Sequence, residues 1–258
     1  MRDPTDDLGM RCALPDGEVT RVVSLVPSLT EAVAITRPAA LVGATDWCTH
    51  PGDLCVTRVR GTKNPDVARI VELAPDLVVV NKEENRELDV HRLRRARIPV
   101  WVTVIEDVPQ ALESMTRLFD TALGWGVPTW LAEVRRLWST PAPAPRARVA
   151  VPIWRDPWMV VGSATFTGDL LAHAGLANVF GDHPQRYPRM ELADIDGGDV
   201  DAVLLPDEPY AFGADDGPEA FRRAPTRLVS GRLITWYGPS LVEARAVLDS
   251  LAAELGGG

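Results

Sequence analysis

Short apolar runs alternate with amphipathic segments along most of the chain. Residues 21–26 (RVVSLV), 40–44 (ALVGA), 77–80 and 100–104 are apolar and rich in β-branched residues, which is the pattern of strands buried on both faces. Helical spacing separates them: Ser28 or Thr30 is expected to cap a first helix, and further helices are predicted at residues 67–73 and 87–97. This alternation predicts βα units and a parallel sheet.

The second half of the chain repeats this pattern. Strands are predicted at residues 148–153 and 201–205, with the last strands within 227–235, and a helix over 169–173. The segment ELAPDLVVVNKEEN resembles DGGDVDAVLLPDEP, and PSLT followed by LVG resembles TFTGDLL followed by GLANVFG. These matches predict two related α/β lobes, although a chance match between two generic α/β patterns remains the alternative.

A helical segment separates the two halves. Leu112, Met115, Leu118 and Phe119 mark one helix, and Pro128 suits the first turn of a second helix, which ends near Trp138. The predicted organisation is therefore an N-terminal α/β lobe (20–105), a helical connector (106–145) and a C-terminal α/β lobe (146–258).

The composition excludes several functional classes. The 258 residues include 36 acidic and 27 basic side chains, a net charge of −9, which argues against a nucleic-acid binder. No apolar run is long enough to insert into a membrane, and residues 1–20 lack the apolar core of a signal peptide. We therefore expect a cytoplasmic protein as the sequence stands, or an extracytoplasmic one whose signal has been removed.

Aromatic residues gather at the ends of predicted strands. They are Trp47, Trp154, Trp158, Tyr187, Tyr210, Phe212, Trp236 and Tyr237. Core packing alone would place such residues in strand interiors and on helix stripes, so this distribution predicts a pocket for a bulky, partly planar ligand. The alternative is that these side chains only anchor loops.

Polar candidates lie among these aromatic residues. Asn81, Glu84, Arg155 and Glu208 are expected to orient the polar edges of a ligand. Cys48, His50 and Cys55 are metal-ligand residue types, but their spacing matches no standard zinc site, so no metal site is predicted. No nucleophile elbow, P-loop or dinucleotide fingerprint occurs, so no catalytic residue is assigned.

An ordered series of segments resembles the class III, cobalamin- and siderophore-type, substrate-binding proteins of ABC importers, also called helical-backbone metal receptors. The series covers about residues 20–250 and is listed here in chain order: VVSLVPSLTEAV, LVGATDWCTHP, GTKNPDVARIVELAPDLVVV, IPVWVT, DLLAHAGLANVFG, YPRMEL, DAVLLPDEP and LITWYGP. The resemblance implies two Rossmann-like lobes with central parallel sheets, a rigid helical connector and a ligand cleft between the lobes.

The resemblance also implies roles for individual residues. Trp47 and His50 lie in the segment that contacts the ligand in the family, Tyr187 and Trp236 match aromatic residues of the second lobe, and Asn81 replaces a family tryptophan. Glu87 matches a glutamate that docks on the permease, whereas the second docking position falls near Gly238. Ser28, Glu84, Trp154, Arg155, Glu208, Tyr210 and Tyr237 complete the predicted ligand-binding set.

The predicted function is therefore binding of a corrinoid, haem or iron chelate without catalysis and with no required cofactor. A small-molecule ligand and an ABC permease are the predicted partners. Two alternatives stay open at this stage: a cytoplasmic enzyme that has recruited the fold, with His50 and Glu84 as acid and base, and a module whose aromatic loops bind another protein.

Overall fold

The computed structural model describes residues 4–197 and 199–257, which form two compact α/β units. The first comprises residues 4–105, 109–135 and 237–239. The second comprises residues 106–108, 136–236 and 240–257, apart from residue 198. The predicted connector stays a prediction, since the residues of its helices are shared between the two units. The last residue of the predicted C-terminal lobe, 258, lies outside the described part of the chain.

A parallel sheet of five strands forms the centre of the first unit, in the order β3-β2-β1-β6-β7. Its strands are β1 (Val22–Ser24), β2 (Leu41–Ala44), β3 (Thr57–Arg58), β6 (Leu77–Asn81) and β7 (Val100–Thr103), and β4 (Arg60–Gly61) and β5 (Asn64–Pro65) form a small antiparallel pair. Its helices are α1 (Pro27–Thr36), α2 (Val67–Glu72) and α3 (Glu87–Arg95). Strands β1, β6 and β7 are wholly buried, as the apolar runs predict.

Two helices follow β7, as predicted. They are α4 (Val108–Thr116), which continues into a π-helical segment at Arg117–Leu123, and α5 (Thr129–Trp138). The π-helical segment ends at Gly124, whose φ of 74° is left-handed and favours glycine. Helix α5 begins directly after Pro128, so the proline precedes its first turn.

The second unit repeats the strand order of the first. Its parallel sheet has the order β11-β8-β12-β13, which corresponds to β2-β1-β6-β7, so the predicted repeat is confirmed. Its strands are β8 (Ala147–Ala150), β9 (Pro152–Trp154), β10 (Met159–Val160), β11 (Leu176–Asn178), β12 (Ala202–Pro206) and β13 (Thr226–Val229). Its helices are α6 (Phe166–His173), α7 (Leu192–Ile195), α8 (Gly231–Thr235) and α9 (Ser240–Gly256).

Two strand predictions in the second unit were wrong. Residues 148–153 do not form one strand: β8 belongs to the parallel sheet, whereas β9 pairs antiparallel with β10. The segment after β13 is the helix α8. The Asp207 Oδ1 atom accepts the Gly231 N–H at 2.6 Å, which satisfies one of the free N–H groups at the start of this helix.

The predicted cap of α1 was also wrong. Val26 occupies the N-cap position and Pro27 the first turn, so Ser28 and Thr30 lie inside the helix. Thr30 Oγ1 instead donates back to the Val26 carbonyl at 2.8 Å.

The N-terminal segment is part of the first unit, which the sequence pattern did not indicate. Cys12, Leu14 and Val19 are buried, and the Asp7 N–H donates to the Val102 carbonyl on the edge strand β7. Residues 4–20 therefore belong to the folded structure. Among residues 4–197 and 199–257, none of the helices combines the length and apolar character needed to cross a bilayer.

Candidate functional site

Each sheet has one point at which the strand order reverses. In the first unit the chain moves from β1 to β2 on one side and then returns to β6 on the other side of β1. The second unit has the same reversal between β8 and β12. Ligands of open α/β sheets bind at such points, beyond the carboxyl ends of the strands. The loops after these strands carry most of the predicted site residues.

Trp47 and His50 lie on the exposed surface of the loop after β2. Trp47 is 68% exposed, and its indole lies beside Gly61. A β-carbon added to that glycine would be 3.3 Å from Trp47 Nε1. His50 is exposed, with Nδ1 3.2 Å from Thr49 Oγ1. Arg58 fixes the loop from beneath, because its Nη1 donates to the carbonyls of Thr45 and Cys48 at 2.9 and 2.8 Å. The loop thus presents a large aromatic side chain on an anchored backbone.

Cys48 is a buried structural residue of this loop. Its Sγ lies 2.9 Å from Thr30 Oγ1 and 3.1 Å from Thr45 Oγ1, and burial raises the pKa of the thiol. Cys55, by contrast, is exposed. Within residues 4–197 and 199–257, no three His, Cys, Asp or Glu side chains are grouped so that they would hold a metal ion.

Asn81 shapes the loop after β6. Its Oδ1 accepts the Glu83 N–H at 2.8 Å, and its Nδ2 donates to Thr103 Oγ1 at 3.2 Å. Asn85, which the sequence analysis missed, accepts the Asn81 N–H at 2.9 Å and donates to the Leu25 carbonyl at 3.2 Å. The two buried amides therefore hold the Glu84 loop against the end of β1, and the signal for this role was an Asn pair four residues apart.

Glu84, Ser28 and Tyr237 come together although 153 residues separate Glu84 from Tyr237. The buried Tyr237 hydroxyl donates to Glu84 Oε1 at 3.3 Å. Burial raises the pKa of this phenol well above its usual value, the Glu84 charge adds to the rise, and the neighbouring Ser28 hydroxyl opposes it. This arrangement fixes the Glu84 side chain at the carboxyl end of the first sheet.

At the carboxyl end of the second sheet, four aromatic rings pack one against the next in a row. The Trp154 ring meets the Tyr210 ring edge-on, with 5.5 Å between centroids, and Tyr210 lies 4.6 Å from Phe212. Phe212 in turn stacks on Trp158 at 5.9 Å, and its surroundings are the apolar core of the second unit. Trp154, at the outer end, is 46% exposed. We call Trp154 and Tyr210 the aromatic pair.

Arg155 is held by two acidic residues of the loop after β12. Its Nη1 donates to Asp216 Oδ1 and, at 2.7 Å, to Glu219 Oε1. Asp216 also accepts the Tyr210 hydroxyl at 2.7 Å, and this hydrogen bond raises the pKa of Tyr210. Asp216 and Glu219 were missed from the sequence, since 61 and 64 residues separate them from Arg155.

Glu208 and Trp236 lie closer to the interior. Glu208 is half-buried, and its Cγ would be 2.3 Å from a β-carbon at position 231, so only glycine fits there. Burial raises the pKa of the Glu208 carboxyl, while a hydrogen bond from Trp236 lowers it. Trp236 itself is only 6% exposed. Tyr187 is half-buried beside the Arg186 guanidinium, 6.0 Å from its ring.

Glu87 stands apart from these residues. It lies in the first turn of α3, where a carboxylate stabilises the helix dipole, and its side chain is 88% exposed. His91 Nε2 lies 3.3 Å from its Oε1. The structure thus groups Ser28, Glu84 and Tyr237 in one unit and Trp154, Arg155 and Tyr210 in the other, with Trp47 and His50 on a separate loop.

Known proteins similar to this chain include binding proteins for vitamin B12 and heme. No protein-family model matches the chain. A vitamin B12-binding protein of Pectobacterium carotovorum subsp. carotovorum (strain PC1) is 23% identical over 198 residues, which cover 73% of this chain and 72% of the relative.

Two solved structures share the fold. The periplasmic vitamin B12-binding protein BtuF of Vibrio cholerae superposes with a TM-score of 0.72 at 15% identity, covering 92% of this chain and 98% of the other. A periplasmic heme-binding protein from Pseudomonas aeruginosa gives 0.74 at 22% identity and covers 93% of each chain. Together with the two parallel sheets of matching strand order, these similarities show that the chain shares the fold of these binding proteins and resembles the class III substrate-binding proteins.

Proposed function

We propose that this protein binds a bulky, partly planar ligand, a corrinoid or another metal chelate such as haem or a siderophore, and releases it chemically unchanged. The observation that carries the proposal is the exposed Trp154, held edge-on against Tyr210 beside the strand reversal of the second sheet. Similar proteins of the same fold are named for binding vitamin B12 and heme, both large ring-shaped chelates.

The energetics favour a ligand with an apolar face. Trp47 and Trp154 each expose a large part of an indole to solvent. Covering such an indole removes about 100–150 Å² of apolar surface, which contributes about 2.5–4 kcal/mol at roughly 25 cal/mol/Å². Association costs offset part of this gain, so the indoles need further contacts around them. A small polar metabolite would leave this gain unused.

An ABC permease is the partner we propose, with Glu87 as a docking residue. The support is the 88% exposure of this side chain on the first turn of α3, together with the similarity of the chain to binding proteins of this fold. The two solved structures of this fold are of periplasmic proteins. An importer role would place this protein outside the cytoplasm as well, and cell fractionation followed by immunoblotting tests that location.

Titration tests the ligand proposal. Tryptophan fluorescence is followed while cyanocobalamin, haemin or a ferric catecholate siderophore is added to the full chain and to the Trp47→Ala and Trp154→Ala variants. We expect saturable binding of at least one ligand and a loss of about tenfold or more in affinity in each variant. Trp125→Ala is the control, because that indole donates to the Val19 carbonyl at 2.9 Å within the first unit. Absence of binding across the panel would refute the proposal.

A further inference from the structure

Arg155 was expected to contact the ligand, yet its guanidinium is already engaged. It donates to Asp216 Oδ1 and Glu219 Oε1, and it lies 5.4 Å above the Trp158 ring. Only 22% of its side chain is exposed. A ligand carboxylate that approached this group would meet the repulsion of two protein carboxylates bound at Nη1, whose pKa values are lowered and which are ionised at neutral pH.

The same carboxylates determine where the aromatic pair lies. Asp216 accepts the Tyr210 hydroxyl at 2.7 Å through Oδ2 while Arg155 binds its Oδ1. Charge-assisted hydrogen bonds of this kind are short and directional, so the Tyr210 ring is fixed by the Arg155–Asp216 pair. Trp154 meets that ring edge-on, and it directly precedes Arg155 in the chain. The orientation of the exposed indole therefore depends on Arg155 through Asp216 and Tyr210.

We infer that Arg155 is a positioning residue: it holds Tyr210, and through it Trp154, in the orientation that receives an uncharged face of the ligand. This inference rests on the proposed function and deepens it. Arg155 is engaged by Asp216 and Glu219, and Asp156 Oδ2 lies 3.8 Å from its Nε. Since three carboxylates surround it, the part of the ligand that covers Trp154 carries no carboxylate or phosphate. An apolar ring edge or a neutral amide-bearing rim fits this surface.

Two probes of different charge separate positioning from direct contact. Cyanocobalamin has no net charge, whereas haemin carries two propionates. If Arg155 positions the rings, Arg155→Gln lowers the affinity for whichever probe binds by about three- to tenfold, and by the same factor for both where both bind. If Arg155 binds a ligand anion, the loss is confined to haemin and shrinks at high salt. That second result would overturn the inference.

Tyr210→Phe provides the matched variant, because it keeps the ring and removes only the hydrogen bond to Asp216. We expect it to reproduce much of the loss caused by Arg155→Gln, and the double variant to bind no more weakly than Arg155→Gln alone. Additive losses would contradict a common action through Asp216. Asp199→Asn, in the exposed turn that precedes β12, removes a carboxylate elsewhere in the unit and should leave the affinity unchanged.

A readout without ligand distinguishes this inference from the proposed function. The near-ultraviolet circular dichroism of Trp154 is obtained as the difference between the wild type and Trp154→Phe. We expect Arg155→Gln and Tyr210→Phe to reduce this difference signal while far-ultraviolet spectra stay unchanged. If the signal persists in both variants, Arg155 does not position Trp154, whatever the protein binds. If the signal falls but no probe binds the wild type, the proposed function fails and the positioning role stands.

Discussion

Asp6 provides a quantitative test of how the N-terminal segment is held. Its side chain is 0% exposed and accepts four hydrogen bonds: from the N–H groups of Leu8, Met10 and Val102, at 3.0, 2.9 and 3.4 Å, and from Arg94 Nη2 at 2.9 Å. In Asp6→Asn an amide replaces the carboxylate. An NH2 group in the place of Oδ2 would face two hydrogen-bond donors, the Val102 N–H and Arg94 Nη2. Breaking one partner of a buried ion pair costs about 3–5 kcal/mol. Since Arg94 is 25% exposed and water reaches it, we expect the lower end, about 3 kcal/mol.

Urea and thermal unfolding followed by circular dichroism measure this loss. We expect the Tm to fall by about 6–12 °C, because 1 kcal/mol corresponds to about 2–4 °C in a chain of this size. The control is Asp120→Asn, which removes one carboxylate from an exposed position of the first unit and should change the unfolding free energy by less than about 0.5 kcal/mol. A loss below about 1 kcal/mol in Asp6→Asn would refute the view that residues 4–20 are fastened to the fold through this side chain.

Three further predictions concern the loops of the site. Because burial raises the pKa of the Glu208 carboxyl above 4.5, the folded state binds the carboxyl proton more tightly than the unfolded state does. The unfolding free energy then falls as pH rises from about 4.5 through the raised pKa, and Glu208→Gln should remove this fall in pH-dependent denaturation. Gly231→Ala should cost about 1–3 kcal/mol in urea unfolding, because its Cβ would be 2.8 Å from the Glu208 carbonyl oxygen. Gly213→Ala, whose Cβ meets nothing within 4 Å, should cost less than about 0.5 kcal/mol; equal losses would contradict the close-packing argument. Tyr237→Phe should lower stability by about 1 kcal/mol, since Glu84 loses a partly buried hydrogen bond, and an unchanged Tm would show that this bond contributes nothing.

The sequence predicted the sheets well because burial on both faces leaves a strong local signal. Strands β6 and β7 are continuous apolar runs, and their repeat in the second half corresponds to the same strand order in both sheets. Strand-end aromatic residues could likewise be identified, since parallel sheets bring these ends to one edge. The sequence therefore predicts Trp154 and Tyr210 at one site, and their ring centroids lie 5.5 Å apart.

The remaining features depend on contacts between distant residues. Arg155 was expected to reach a ligand because a lone arginine carries no sign of the carboxylates that bind it 61 and 64 residues later. Asp6 lies in a segment with no periodicity, and it meets Arg94 only in the folded unit. Residues 231–235 form a helix instead of a strand, and Asp207 binds the N–H of Gly231 at its start, a contact that the hydrophobic pattern alone does not reveal.

Native mass spectrometry of the full chain mixed with equimolar cyanocobalamin, haemin or ferric catecholate siderophore tests the central claim most directly. The account predicts a 1:1 complex with at least one of these chelates, with the mass of the ligand unchanged after release. Weakening of that complex in Trp47→Ala and Trp154→Ala is expected at unchanged Tm. Absence of any complex at tens of micromolar protein, or release of a ligand of altered mass, would contradict the claim that this protein binds a metal chelate without transforming it.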